Sequence, residues 1–155
     1  LSEKKREALF DVICARAVCW NVARVGPEVI DEINILQATR LGMKNALLSL
    51  PIRPDAVITD GNMTLDIPFP QRSIVRGDAL SYSIGAASIV AKVYRDALME
   101  KYAEAYPAYG FERNKGYGTA EHIKAIKEQG LCPIHRRTFT KKLLAGGGKS
   151  LPKNI

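Results

Sequence analysis

The sequence predicts an α/β fold with at least three strands, and three observations carry that expectation. Stretches with helical periodicity alternate along the chain with short apolar runs bounded by turn residues. The 155 residues are 46% hydrophobic and 25% charged, the balance of one soluble globular domain. No apolar run approaches the ~18 residues that span a bilayer, and the Lys/Glu-rich start does not read as a signal peptide. Disordered, collagenous, membrane and secreted-miniprotein classes are thereby set aside. Three cysteines, Cys14, Cys19 and Cys132, form an odd, sparse set that suits reduced thiols in a cytoplasmic protein.

The first helix is predicted from Ser2, a possible N-cap, to about Ala17, with Leu9, Phe10, Ile13 and Ala17 on one face. Val18 to Val25 alternates loosely around Trp20 and Val22 and reads as a strand ending at Gly26-Pro27. A long helix follows from about Glu28 to Leu50, stopped by Pro51 and Pro54, with Ile30, Ile33, Leu36, Met43, Leu47 and Leu50 near a helical period. Asp55–Gly61 and Arg72–Asp78 read as two short buried strands separated by a Pro-broken loop. Ser81 to about Ala105 is a further helix, and its small apolar first half suits close packing on a sheet. After a Tyr/Gly/Pro loop from Tyr106 to Gly118, a short helix runs from Thr119 to Gln129, with Gly130 placed to cap it. The stretch beyond Leu144 is Gly/Lys/Ser-rich and expected to be loose. Neither an internal repeat nor a domain boundary is evident.

Charge is unevenly placed. Residues 1–109 carry 13 Lys/Arg and 13 Asp/Glu, whereas residues 110–155 carry 10 Lys/Arg against Glu112, Glu121 and Glu128, so the last third holds the whole net +7. Such a segment is either a solvated basic tail or a footprint for a polyanion, because cations that contact phosphates release condensed counterions.

Asp60 and Asp78 each end an apolar strand beside a glycine, the usual place for functional groups in an open α/β sheet. Two such carboxylates could share hard divalent cations, which prefer oxygen ligands; Asp-Gly is equally a plain turn signal. Tyr117, between Gly116 and Gly118 on a basic loop expected to be flexible, suits stacking on a nucleotide or packing within the loop. Other motifs fall away. Gly146–Ser150 resembles the end of a phosphate-binding loop, but Leu143 stands where its first glycine belongs. Cys14 and Cys19 lack a matching ligand pair for zinc. His122 and His135 have no obvious nucleophile partner. Asp96, next to Arg95, reads as a structural ion pair.

Longer motifs resemble the ribonuclease HII family. Gly77-Asp-Ala-Leu-Ser-Tyr-Ser-Ile-Gly-Ala-Ala-Ser-Ile-Val-Ala-Lys-Val-Tyr-Arg-Asp96 is similar to its core signature. Tyr106-Pro-Ala-Tyr-Gly-Phe111, Asn114-Lys-Gly-Tyr-Gly-Thr-Ala-Glu-His122 and Pro133-Ile-His-Arg-Arg-Thr-Phe139 follow in the family's order. Upstream, Ile30–Thr39 and Val57–Asn62 fit as well, and the likeness extends from Leu1 to about Leu143. The resemblance implies a ribonuclease H-like fold and a Mg²⁺- or Mn²⁺-dependent endoribonuclease. Such enzymes cut the RNA strand of RNA–DNA hybrids, and cut 5′ of ribonucleotides embedded in duplex DNA. It makes Asp60 and Asp78 two of four metal-binding acids and Tyr117 the residue that packs at the ribonucleotide. Lys92, Lys115, Arg136 and Arg137 become candidate phosphate contacts.

The family's opening Asp-Glu-Ala-Gly-Arg-Gly strand, a second strand and a basic motif do not occur in this sequence. Asp31-Glu32 lies within the long helix and matches a different family position. The expectation is therefore a family domain over 1–144 lacking its first two strands, with about three strands left in an incomplete mixed sheet and a flexible tail over 145–155. Weak or absent cleavage by this chain alone, and self-association through an open sheet edge, are expected in turn. The alternative is a non-catalytic nucleic-acid-binding remnant of the same fold.

Overall fold

Ser2 starts α1 (Glu3–Arg16) by accepting a hydrogen bond from the Lys5 amide at 3.4 Å, satisfying one of the donors that a helix leaves unpaired in its first turn. The computed structural model describes residues 1–144; the expected loose tail and the Gly146–Ser150 motif lie outside the described residues. The apolar face expected on α1 buries no residue; Phe10 instead meets Trp20 edge-on, ring centroids 6.0 Å apart. Residues 18–25 carry no strand hydrogen-bond ladder, so the first expected strand is not formed. Alternating side chains favour an extended backbone, but a strand also needs a partner for its amides and carbonyls, and none lies against this segment among the described residues.

α2 (Pro27–Leu48) fills most of the expected long helix but is not continuous: Asn34, with φ 67° and ψ 166°, breaks it. Periodicity ran through this position because Asn34 lies off the apolar stripe. Ala38 is the buried residue of α2.

The two acid-terminated runs form β1 (Val57–Asp60) and β2 (Gln71–Ile74), paired in parallel from Val57 opposite Gln71 to Asp60 opposite Ile74. The sheet of the described residues is thus two parallel strands rather than about three in a mixed arrangement. Parallel neighbours normally need a helical crossover. Here the connection is a loop fastened by side chains: the Gln71 amide both accepts from the Leu65 amide (2.8 Å) and donates to the Leu65 carbonyl (2.7 Å), while Ser73 donates to the Met63 carbonyl.

After β2 come a one-turn helix, α3 (Gly77–Leu80), and the long α4 (Tyr82–Ala105). A 3₁₀ turn and α5 (Phe111–Asn114) occupy the Tyr/Gly/Pro loop. α6 (Ala120–Gln129) ends at Gly130, as expected, at φ 79°; Thr119, expected as its first residue, is instead its N-cap and accepts from the His122 amide. α7 (Arg137–Leu144) follows, a helix the sequence reading did not anticipate.

The chain divides into two compact units, residues 1–25 with 36–94 and residues 26–35 with 95 onward. One divide precedes α2, at Val25–Gly26, and the other two fall inside α2 and α4, where no linker composition marks them. The first unit buries Ala38, Val57, Leu65, Ile84 and Val90. The second has a core of Tyr109, Phe111, Ile126 and Cys132, flanked by Met99, Tyr102 and Ile134. Phe111, 2% exposed, lies at its centre, and truncating such a ring to alanine costs about 3–5 kcal/mol.

α7 exists because of a residue far upstream. Asp31 accepts hydrogen bonds from the Arg137 amide (2.6 Å), the Thr138 amide (3.1 Å) and the Thr138 hydroxyl. The Thr138 hydroxyl, with help from both amides and the Arg136 charge, holds the Asp31 carboxyl below its ordinary value. A depressed carboxyl stabilises the fold above its unfolded pKa, and that contribution is lost as pH falls through the folded one. Asp31→Asn should therefore lower Tm at neutral pH. The gap from the parent should close below about pH 4; a gap that persists in acid would remove the carboxylate cap as its cause.

Candidate metal and nucleic-acid site

Asp60 ends β1, and its Oδ1 accepts two amides: Gly61 at 2.8 Å, closing the strand-end turn, and Gly77 at 2.7 Å, from the start of α3. The second bond brings the chain just after β2 back to the end of β1, so that Asp78 follows directly on a residue held by Asp60. Gly77 is buried, and a Cβ there would lie 2.6 Å from Ile84 Cδ1, 3.4 Å from Ile74 Cβ and 3.5 Å from Asp60 Cα. Gly85 lets α4 close on the same turn, since a Cβ there would lie 3.1 Å from the Asp78 carbonyl. The preceding residue, Arg76, takes a left-handed conformation at φ 58° to make the turn. Asp78 itself is exposed. Asp60 thus lies at the carboxyl end of β1 as expected, whereas Asp78 does not end a strand: β2 stops at Ile74, the chain turns at left-handed Arg76, and Asp78 lies in α3 of the same unit. Two carboxylates are hard oxygen donors that suit Mg²⁺ or Mn²⁺. Among the described residues, no group of three or more His, Cys, Asp or Glu side chains is placed to hold a metal.

Tyr117 belongs to the other unit, on a loop tied by hydrogen bonds. Lys115 and Gly116 are both left-handed, at φ 47° and 84°. Buried Asn114 ties the turn: its Nδ2 donates to the Tyr109 carbonyl (2.7 Å) and its Oδ1 accepts from the Gly116 amide (2.8 Å). The Tyr117 ring is half exposed, and Arg95 lies 5.1 Å from its centroid while donating to its hydroxyl at 2.8 Å. Arg95 also pairs with buried Asp96 at 3.0 Å, the structural ion pair expected from the sequence. Burial works against the Arg95 cation, but bonds to Tyr117 and Asp96 outweigh it and leave its pKa raised.

The four candidate phosphate-binding cations differ in their surroundings. Lys92 is exposed on α4 in the unit of Asp60 and Asp78. Lys115, Arg136 and Arg137 belong to the unit of Tyr117. Lys115 pairs with Glu100 at 2.9 Å, which lowers its value as a phosphate contact. Arg136 stacks over Phe139 at 4.6 Å, and exposed Arg137 opens α7.

The sequence reading missed one group. His122 and His135, set aside for lack of a nucleophile, are buried, with their Nε2 atoms 3.0 Å apart. His122 Nδ1 lies 2.8 Å from the Tyr117 carbonyl oxygen. His135 Nδ1 lies 3.0 Å from the Cys132 amide and 3.1 Å from its Sγ. Burial pushes the Cys132 thiol pKa up, so this sulfur is no reactive thiolate. Thirteen residues separate the two histidines, and no local spacing rule couples them.

The family model for ribonuclease HII matches residues 1–142. The ribonuclease HII of Chlorobium chlorochromatii is 54% identical over 140 residues, which are 90% of this chain and 68% of that protein. That of Endomicrobium trichonymphae is 55% identical over 141 residues, covering 90% and 67%. In the crystal structure of the ribonuclease H2 from Pyrococcus horikoshii OT3, 76% of that chain superposes on 92% of this one, with a TM-score of 0.77 and 26% identity. A family match over nearly the whole described chain, relatives above half identity and a shared α/β fold agree: the chain belongs to the ribonuclease HII family, the type II ribonucleases H.

Proposed function

We propose that the site serves metal-dependent endonucleolysis of the RNA strand in RNA–DNA hybrids, and of the bond 5′ of a ribonucleotide embedded in duplex DNA. The observation that supports this reading is the Asp60–Gly77 hydrogen bond, which ties the end of β1 to the residue preceding Asp78. Asp60 and Asp78 would hold Mg²⁺ or Mn²⁺; Asp60 Oδ1 is committed to two amides, leaving Oδ2 to ligate. Bound divalent cations supply activation of the attacking water and stabilisation of the leaving 3′-oxygen. Tyr117 presents a half-exposed ring to the sugar and base of the ribonucleotide, where the 2′-hydroxyl separates RNA from DNA. Lys92, Arg136 and Arg137 contact the duplex backbone, with Lys115 a weaker partner because Glu100 already balances it.

Asp60 and Asp78 are two of the four acids that the resemblance implies for the family's metal site. The alternative reading is a duplex-binding protein of the same fold without cleavage.

Mn²⁺ binding followed by electron paramagnetic resonance, with nicking of a duplex carrying one ribonucleotide, tests the site. Asp60→Asn and Asp78→Asn should each weaken Mn²⁺ binding at least tenfold and abolish any nicking. Unchanged Mn²⁺ affinity in both variants would sink the metal assignment. Gly77→Ala forces Ile84 aside and should cost about 1–3 kcal/mol by overpacking. It should also weaken Mn²⁺ binding, whereas retained affinity would show that the α3 turn does not set the carboxylates.

A further inference from the structure

The histidine pair is wired in one direction. The Cys132 amide can only donate, so His135 Nδ1 must accept and His135 Nε2 must carry the proton. The Tyr117 carbonyl can only accept, so His122 Nδ1 must carry the proton and His122 Nε2 must accept. The His135 Nε2–H then donates to His122 Nε2 across 3.0 Å, and the chain closes with both rings neutral. A proton added to His122 sets two N–H donors against each other at that contact. A proton added to His135 sets one against the Cys132 amide. Neither arrangement is tolerable at 4% and 8% exposure, so protonation must part the rings.

The groups facing the rings offer no relief. Tyr109 lies 4.9 Å from His135 and 6.5 Å from His122, and Phe111 lies 5.7 Å and 5.3 Å from them. The Tyr109 hydroxyl is spent on the Gly130 carbonyl at 3.0 Å, and Cys132 supplies a thiol rather than a thiolate. Burial, then the neighbouring His122, holds the His135 imidazole below its ordinary value, and no carboxylate offsets this.

We propose that the neutral His122–His135 pair is a positioning element for Tyr117, and that the parting of the rings on protonation of either one displaces the tyrosine loop through the His122–Tyr117 bond. The Tyr117 carbonyl accepts from the Thr119 amide at 2.9 Å and lies 2.8 Å from His122 Nδ1, so the imidazole adds a side-chain restraint to a backbone one. With Arg95 on the hydroxyl, Tyr117 is held at both its backbone and its ring tip. In acid the parting of the rings strains the His122 Nδ1–H bond to that carbonyl, while the Thr119 and Arg95 bonds remain. The consequence for ribonucleotide recognition rests on the substrate reading of Tyr117 given above; the restraint itself does not.

Nuclear magnetic resonance of the full chain tests the restraint without nucleic acid. At about pH 8 the ring protons should sit on His122 Nδ1 and His135 Nε2. The Tyr117 and Gly118 amides should then shift on acidification with the same midpoint as the imidazoles. Amides that stay still through the imidazole titration would overturn the proposal. Fluorescence anisotropy then compares binding to a duplex with one ribonucleotide and to the all-DNA duplex in metal-free buffer. The parent's preference should fall about fivefold as pH is lowered through the imidazole midpoint found by magnetic resonance. His135→Gln, which keeps an N–H near Nε2 and removes one of the two titrating rings, should show a smaller change of preference with pH than the parent. A parent preference that ignores pH, with Tyr117→Ala abolishing it, would also overturn the proposal. If Tyr117→Ala leaves the preference intact, the substrate reading of Tyr117 fails and the amide titration alone decides the restraint.

Discussion

The hydrogen bond from the Gly77 amide to Asp60 is the constraint on which the first unit's chemistry depends. Two four-residue parallel strands make a minimal sheet, and nothing in their ladder dictates where the chain goes after Ile74. The carboxylate decides it: by accepting both Gly61 and Gly77 it fixes the turn out of β1 and the turn out of β2 with one oxygen. Gly77 and Gly85 make the closure sterically possible, and Arg76 adopts a left-handed backbone to complete it. Such a conformation costs a non-glycine residue about 1 kcal/mol, and a charge-assisted bond to a carboxylate exceeds that.

The second unit is organised by directional polar contacts threaded through an aromatic core. Tyr109, Phe111, His122 and His135 pack ring on ring, and their polar atoms are each matched to a backbone group or to one another. An apolar core of the same volume would be at least as stable. What the polar core adds is direction: only one arrangement of protons satisfies every group, and that arrangement sets the Tyr117 loop.

Much of this was legible in the sequence for physical reasons that are themselves local. Ser2 caps where a hydroxyl precedes a helical run, and Gly130 ends α6 because its positive φ suits glycine. β1 and β2 follow from apolar runs between turn residues. Asp60 was legible by its place at a strand end and the family motif, and Asp96 by its neighbour Arg95. The rest depended on contacts between distant residues. Val18–Val25 has the alternation of a strand without the partner that would make it one. The helix break at Asn34 leaves no Pro or Gly to announce it, and α7 takes its cap from a residue no periodicity connects to it. The histidine pair was dismissed as lacking a nucleophile because spacing rules look for known triads, whereas its partners are a carbonyl and an amide.

That cap has a bearing on the order in which the chain folds. Asp31 and Arg137 are 106 residues apart, so α7 gains its first-turn acceptor only after nearly the whole chain has been gathered. Eight residues form a marginal helix on their own, and closing so long a loop adds an entropic cost that grows with the logarithm of its length. α7 is therefore a late element. Residues 26–35 must already be in place when α7 forms, so completion of the second unit waits on a contact between two segments far apart in the chain.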